Sequence, residues 1–331
     1  MSRGQSPLRT IDRLTAHQTA ACLGAVALGV LAGALLPSAA LVASALVTPL
    51  LVLLLFTTFI DIPLRTLGPA TANLRFAAVV LMANFLIVPL LVWALHTIVP
   101  LPATVAVPVL IVLLTPCIDY VIVFTGLAGG ASEKLLALTP VLMIVQILLL
   151  PVWLGVIAGD SAPELITPGP FLTALTLFIV LPLAAALLVQ LGSTRSRIVR
   201  GVRGAASTAM MPLMLLTLFA VAASEIRSVV PHLADLGIVA VVCVLFAVVM
   251  TILGWGLGAW SLAEVGERRA LIFTGVTRNS LVMLPLVRAV DGDGLGSAAV
   301  VTQTLVELLV MVALVRIVPH LVPDTAMSEN R

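Results

Sequence analysis

Two long apolar runs of the chain are interrupted, the first by Thr115-Pro116-Cys117-Ile118-Asp119-Tyr120 and the second by Gly275-Val276-Thr277-Arg278-Asn279-Ser280. Both interruptions combine charge with residues that disfavour a continuous helix. A charged group in hydrocarbon costs free energy unless it has a partner or lines a cavity. The two stretches therefore predict a pair of broken helices at membrane depth, with Asp119 and Arg278 at a shared transport site.

The composition excludes a soluble domain. The mean hydropathy is +1.23, 61% of the residues are hydrophobic and 10% are charged, so too few polar residues remain to cover a water-exposed surface. The basic residues are spread over short connections, and the net charge of +2 indicates no nucleic-acid-binding surface. We expect an all-α, multi-pass membrane protein whose partners are the lipid bilayer and a small solute.

Ten apolar segments are predicted to cross the bilayer, which takes about 20 apolar residues per helix. They lie at Thr19–Leu36, Ala40–Ile60, Phe76–Ile98, Val105–Leu127, Leu135–Ile157, Phe171–Leu191, Ala205–Ala223, Leu236–Trp260, Ala270–Val290 and Ala298–Val315. Helices one to five then occupy residues 19–157, and helices six to ten occupy residues 171–315. Residues 1–18 and 316–331 are predicted to be tails.

The distribution of basic residues predicts the orientation. With ten spans both tails share one side of the membrane, and most of the lysines and arginines fall there. They are Arg3, Arg9, Arg13, Arg65, Arg75, Lys134, Arg195, Arg197, Arg200, Arg203, Arg268, Arg269, Arg316 and Arg331. The opposite connections hold only Arg227 and Arg288. Because cytoplasmic loops carry the excess of Lys and Arg, both termini are predicted to be cytoplasmic, in the cytoplasmic membrane of the cell.

The two halves of the chain resemble each other weakly. Pro49–Phe56 matches Pro212–Phe219 at an offset of 163 residues, and Val145–Leu149 matches Val306–Val310 at an offset of 161. Five spans per repeat predict that the second copy enters the membrane from the opposite side, as an inverted repeat. The offset also places the two polar interruptions at equivalent positions in helices four and nine. Paired breaks that cross near the midplane mark the binding site of many secondary transporters.

Span four supplies Thr115, Cys117 and Asp119 as candidate substrate-binding residues. Pro116 removes a backbone donor and frees carbonyl groups, which need a new partner such as a solute in a cavity. The alternative is a simple proline kink in which Cys117 packs as a small core residue. An aspartate at the centre of a spanning helix costs roughly 2.5–3.5 kcal/mol, which favours a functional or paired role for Asp119.

Span nine supplies Arg278, Asn279 and Ser280 as further candidate substrate-binding residues. They lie within about one turn of one another, in a helix that also contains Pro285. The structural alternative is that Arg278 only neutralises Asp119, in a buried ion pair of small net stability. Such a pair would not exclude transport, because it would lie where the two broken helices cross.

Glu307 is the one charged residue of the tenth apolar segment. Burial disfavours the charged form of a carboxyl group, so Glu307 could take up and release protons near neutral pH. This predicts a proton-coupling role, and the alternative is a permanently protonated side chain bonded to a neighbouring helix. Gln146 and Asn84 are interpreted as interhelical hydrogen-bonding residues, and Cys22 and Cys243 as packing residues.

Catalysis is not predicted for this chain. All four histidines fall near the ends of spans, so neither a Cys-His nor a Ser-His-Asp arrangement can form within the membrane. The sequence has no GxxxxGK[ST] loop, the motif that cradles nucleotide phosphates. We therefore expect a protein that is not an enzyme, has no cofactor and does not hydrolyse ATP.

The motifs resemble those of the bile acid:sodium symporter superfamily, and most closely its arsenical-resistance branch, the Acr3-type permeases. The stretches that carry the resemblance are Thr115–Tyr120 with Thr125–Leu127, Thr277–Ser280 and Thr304–Glu307. In that branch a cysteine of the fourth span and a glutamate of the tenth are implicated in function. The resemblance thus implies that Cys117 is a metalloid-interacting thiol and that Glu307 exchanges a proton. Soft sulfur ligands suit a thiophilic centre such as trivalent arsenic or antimony.

Two departures from the superfamily pattern leave alternatives open. Sodium-symporting members carry an acidic residue four positions before a Gln-Asn pair in span nine. In this chain Thr274 stands in place of the acidic residue, and Arg278 stands in place of the glutamine before Asn279. Proton coupling or uncoupled transport is therefore favoured over sodium coupling. The leading hypothesis is export of arsenite, and of antimonite, by proton exchange. The alternatives are transport of a small organic anion held by Arg278, and a membrane protein that transports nothing.

Overall fold

A computed structural model describes residues 7–61, 73–118, 120–158, 176, 180–193, 196–229, 232–290 and 295–324. Over these ranges the chain forms helices joined by short connections, and an isolated β-bridge is its one extended pairing. The prediction of an all-α protein is confirmed.

Twelve helices are named here in chain order within the described ranges. They are α1 (Pro7–Leu35), α2 (Pro37–Asp61), α3 (Leu74–Ile98), α4 (Ala103–Leu113), α5 (Tyr120–Leu127), α6 (Ser132–Ala158), α7 (Leu181–Ser193), α8 (Arg197–Val229), α9 (Leu233–Ser261), α10 (Val265–Val276), α11 (Ser280–Val290) and α12 (Leu295–Leu321). Six of them, α2, α3, α6, α8, α9 and α12, are long and apolar enough to cross a membrane. The arrangement of ten spans as an inverted repeat remains a prediction.

The helix bounds follow the apolar segments, with differences that have local causes. Helix α1 begins at Pro7, twelve residues before the predicted span, because Arg9, Asp12 and Arg13 are compatible with a helix although they are not apolar. Helix α3 contains one π-helical turn at Ala83–Ile87. The first nine residues of the predicted sixth span, apart from residue 176, lie outside the described part of the chain.

The predicted fourth and ninth spans are each divided into two short helices. Helix α4 ends at Leu113 and α5 begins at Tyr120, while α10 ends at Val276 and α11 begins at Ser280. Around these half-helices α12 packs against α4, α9, α10 and α11, and α9 packs against α10. The two divided helices therefore lie inside the bundle.

Charged residues hold the N-terminal end of α10 in place. The Lys134 ammonium group at the start of α6 lies 2.6 Å from Glu264 and 2.8 Å from Glu267. The Arg269 guanidinium group donates to the carbonyl oxygens of Ala128 at 3.2 Å and Val322 at 2.8 Å. These contacts tie α10 to the start of α6, to the turn after α5 and to the end of α12.

Two glycines allow α1 to pack directly on the backbone of α8. A Cβ atom at Gly29 would overlap the carbonyl oxygen of Phe219, and one at Gly33 would overlap the carbonyl group of Ala223. The spacing of four residues places both glycines on one face of α1. Small residues at this spacing are a common means of close helix packing in membranes, where van der Waals contact replaces the hydrophobic driving force.

We expect Gly33→Ala to loosen the contact between α1 and α8. The added methyl group has no space except by separating the two helices, and overpacking of this kind costs about 1–3 kcal/mol. The purified variant should unfold at a lower temperature in detergent than the parent protein. Gly24→Ala is the matched control, since no atom lies within 4 Å of a Cβ at that position of the same helix. Equal unfolding temperatures for the two variants would contradict the packing argument.

Candidate functional site

The two helix breaks pair with each other as a short antiparallel ladder. Pro116 lies opposite Arg278. The amide N–H of Cys117 donates to the carbonyl oxygen of Thr277 at 3.2 Å, and that of Asn279 donates to the carbonyl oxygen of Thr115 at 2.9 Å. The structure thus brings the two interrupted segments into direct backbone contact.

The ladder explains why a proline is tolerated at its centre. Pro116 and Arg278 form the non-hydrogen-bonded pair of an antiparallel ladder, whose backbone N–H groups point away from the partner strand. A missing N–H at Pro116 therefore removes no bond between the two segments. The N–H of Arg278 points away as well, and it donates to the Glu307 carboxyl oxygen Oε2 at 2.9 Å.

At the end of α4 a hydroxyl group bonds to carbonyl oxygens of the last helical turn. In a continuous helix the carbonyl oxygen of Val112 would accept from residue 116, which is a proline. The Thr115 hydroxyl donates to that oxygen at 2.9 Å and lies 3.0 Å from the carbonyl oxygen of Ile111. Thr115, a predicted substrate-binding residue, therefore has its hydroxyl group directed to its own helix.

At the end of α10 a guanidinium group donates to carbonyl oxygens of the last helical turn. The N–H groups of residues 278 and 279 would bond to the carbonyls of Thr274 and Gly275 in a continuous helix, but they donate instead to Glu307 and Thr115. The Arg278 Nη2 atom donates to those same two carbonyl oxygens, at 2.5 Å for Thr274 and 2.8 Å for Gly275. One side chain thus bonds to both of the carbonyl oxygens whose helical donors are diverted.

Asn84 supplies the third oxygen atom that accepts a hydrogen bond from Arg278 Nη2. Its Oδ1 atom accepts from Arg278 Nη2 at 2.9 Å, and its Nδ2 atom lies 3.3 Å from the Thr274 hydroxyl oxygen. Asn84 belongs to the π-helical turn of α3, a local irregularity often found at functional sites. The Phe246 ring centre lies 5.5 Å from the guanidinium carbon, within the range of a cation–π contact.

Glu307 joins α12 to the break in α10. Its Oε2 atom accepts from the Arg278 backbone N–H and from the Gln303 side chain, one turn earlier on α12. The Gln303 Oε1 atom is buried and has no hydrogen-bond partner among the described residues. Glu307 is 5% exposed, so bulk water does not compete for these two hydrogen bonds. The bonds of its carboxyl group therefore help to hold the broken segment of α10 in place.

The opposite face of the ladder carries the thiol. Because side chains alternate along extended backbone, Cys117 and Asn279 lie on the face away from the Arg278 side chain. Both are 1% exposed, and the Asn279 Nδ2 atom has no hydrogen-bond partner among the described residues. Ser280, the last predicted residue of this group, lies 2.9 Å from the Thr304 hydroxyl oxygen of α12. Asp119 and its predicted ion pair with Arg278 lie outside the described residues.

A cavity of about 10 Å³ lies beside Glu307, which is room for one water molecule. Its lining includes Cys243, Phe246, Arg278, Gln303 and Glu307. Cys243 was interpreted from the sequence as a packing residue, yet it faces this polar cavity. The spacing of Cys243 and Phe246 on α9, and of Gln303 and Glu307 on α12, places each pair on one helix face, but it does not indicate that these two faces meet.

Two comparisons with known proteins bear on this arrangement. A family model described as the Sodium Bile acid symporter family matches residues 48–252, which is more than half of the chain. The match includes the first break, Asn84 and the α9 residues of the cavity, and it ends before the second break. No curated protein matches the chain.

We expect Glu307→Leu to destabilise the protein much more than Glu307→Gln. Leucine leaves the Arg278 N–H and the Gln303 amide without an acceptor, at about 1–3 kcal/mol for each buried donor. Glutamine keeps one acceptor for Arg278, and its new amide group can donate to Gln303 Oε1 if Gln303 turns over. Thermal unfolding of the purified variants measures the difference.

Gln146→Leu is the matched control for that measurement. Gln146 is aligned with Glu307 in the predicted repeat and is 2% exposed, but its amide atoms have no hydrogen-bond partner among the described residues. Its replacement by leucine should therefore cost no stability. Equal destabilisation by Glu307→Leu and Glu307→Gln would show that the hydrogen bonds to the carboxyl group do not hold the break together.

Proposed function

This chain belongs to the sodium bile acid symporter family, and we propose that it exports a trivalent metalloid, arsenite or antimonite, across the cytoplasmic membrane in exchange for protons. The family consists of transporters that move small solutes with ions and not of enzymes. Together with its membrane-spanning helices, this makes the chain a multi-pass membrane transporter. The metalloid, the proton and the outward direction are the proposed part.

The observation that carries the proposal is the bond between Glu307 and the Arg278 backbone N–H. A carboxylate accepts this bond strongly, and a protonated carboxyl group accepts it weakly. Proton binding at Glu307 therefore loosens the segment that forms the ladder with Thr115–Cys117. In this way a proton taken up at α12 weakens the pairing of the two breaks, and its release restores that pairing.

Cys117 supplies the proposed contact with the metalloid. Its backbone N–H bonds to the carbonyl oxygen of Thr277, so its thiol moves with the ladder. A sulfur–arsenic bond forms when the thiol proton leaves with one hydroxyl group of arsenous acid as water, and hydrolysis of that bond releases the solute. No electron is transferred in either direction, and a soft sulfur donor favours this exchange. The Asn279 amide on the same face of the ladder is placed to donate to a remaining hydroxyl group.

The alternative substrate, an organic anion, would need Arg278 as its receptor. The Nη2 atom of Arg278 already donates to three oxygens of the protein. A carboxylate that bound this nitrogen would have to displace them and leave the end of α10 without a donor. These contacts occupy the Nη2 atom of Arg278, which favours the thiol of Cys117 as the point of substrate attachment.

Resistance in a bacterial host that lacks arsenite export tests the proposal. Expression of the parent chain should raise the arsenite concentration that the host tolerates. Cys117→Ser and Glu307→Gln should each abolish this gain at unchanged protein level in the membrane, because one removes the thiol and the other the proton carrier. Cys22→Ser is the matched control, a buried thiol on α1 far along the chain from the breaks, and it should retain resistance.

Flux into everted membrane vesicles tests the coupling. With the interior acidified, arsenite uptake by the parent protein should fall to the background level when a protonophore collapses the gradient. Full resistance with Cys117→Ser, or uptake that is insensitive to the protonophore, would contradict the proposal. Loss of organic-anion transport in Arg278→Ala together with full activity in Cys117→Ser would instead identify the alternative substrate.

A further inference from the structure

Three oxygen atoms converge on a single nitrogen at the end of α10. They are the carbonyl oxygens of Thr274 and Gly275 and the side-chain Oδ1 of Asn84, at 2.5, 2.8 and 2.9 Å from Arg278 Nη2. Arg278 is 1% exposed, so this oxygen cage is closed to bulk water. We use the term oxygen cage below for these three oxygen atoms.

The chemistry of the oxygen cage is that of a site for a monovalent cation. Carbonyl oxygens exposed by an unwound membrane helix, at the C-terminal end of a half-helix, are the usual ligands of coupling sodium ions in transporters. The negative end of the α10 dipole lies at the same place and also favours a cation. An amide oxygen is a hard ligand of the same kind. All three features are present, and the cation among them is the guanidinium group of Arg278.

We propose that Arg278 is a tethered cation that takes the place of a free monovalent cation in the oxygen cage. Its guanidinium group carries a permanent charge, so the half-helix is held in its broken form without uptake of an ion from solution. Transport by this chain is therefore independent of sodium. The inference rests on the transport function proposed above, but it does not depend on arsenite as the substrate.

The assignment also explains why the guanidinium group is compatible with the interior. A buried charge needs partners for its donors, and the two carbonyl oxygens that the break releases are, with Asn84 Oδ1, the partners of the Nη2 atom. Removal of the side chain would leave these oxygens and Asn84 Oδ1 facing a void large enough for a small cation. A neutral residue at position 278 should then create a binding site for sodium or for free guanidinium.

The test compares the parent protein with Arg278→Gln in detergent at constant ionic strength. Choline chloride is replaced stepwise by sodium chloride or by guanidinium chloride at millimolar concentrations. The unfolding temperature of Arg278→Gln should rise by about 3 °C or more and then saturate, as expected for binding to the folded state alone. The unfolding temperature of the parent protein should not change with sodium.

Two variants serve as controls. Arg278→Lys retains a tethered cation and should resemble the parent protein in its insensitivity to sodium. Arg288→Ala removes a guanidinium group that bonds to the Glu225 carboxylate at 3.2 Å. Its unfolding temperature should show no saturable response to either cation.

The outcomes separate this inference from the proposed function. A rise of the parent unfolding temperature with sodium, or the absence of a response in Arg278→Gln, would overturn the tethered-cation assignment. An Arg278→Gln protein that cannot be recovered in sodium or in guanidinium overturns it as well, because rescue by those ions is the prediction. Since unfolding requires no substrate, a saturable response together with a failed arsenite assay would retain the oxygen cage and reject the metalloid.

Discussion

The rest of the site depends on how backbone hydrogen bonds are exchanged at the break in α10. Interruption of this helix diverts the N–H groups of residues 278 and 279 to Glu307 and to Thr115. Two carbonyl oxygens lose their partners as a result, and the side chain of Arg278 turns back to satisfy both. In hydrocarbon an unsatisfied backbone group costs several kcal/mol. The break, the ladder, the carboxyl group and the guanidinium group are therefore one connected arrangement.

Backbone carbonyl oxygens at the two breaks accept hydrogen bonds from different chemical groups. At α4 a neutral hydroxyl group, that of Thr115, donates to the carbonyl oxygen of Val112, which also accepts from the Thr115 backbone N–H. At α10 a cation donates to the carbonyl oxygens, and an anionic residue lies on the other side of the same backbone segment. Among the described residues of the two breaks, the charged groups are therefore those of Glu307 and Arg278, on the second half of the chain. Glu307, the proposed proton carrier, and Arg278, whose charge is permanent, are thus two residues of one hydrogen-bond network.

The sequence was informative about the breaks because they depend on local chemistry. A proline or an arginine within an apolar run is visible without any tertiary information, and so is the single carboxyl group of the tenth segment. The direction in which a side chain points is a tertiary property. Thr115 was expected to bind substrate, but its hydroxyl group bonds to its own helix. Asn84 was expected to link helices, and the structure adds that its partner is the buried guanidinium group. Cys243 lacked charged sequence neighbours, so only packing could place it beside Glu307.

The glycine contact between α1 and α8 has a consequence for motion. Where Gly29 and Gly33 face the backbone of α8, the two helices lie in direct contact, and a shift of either helix would bring larger side chains against the main chain of the other. We therefore expect α1 and α8 to move together. Any rocking that exposes the interior alternately to the two sides of the membrane would carry this pair together, and its hinges must lie elsewhere in the bundle.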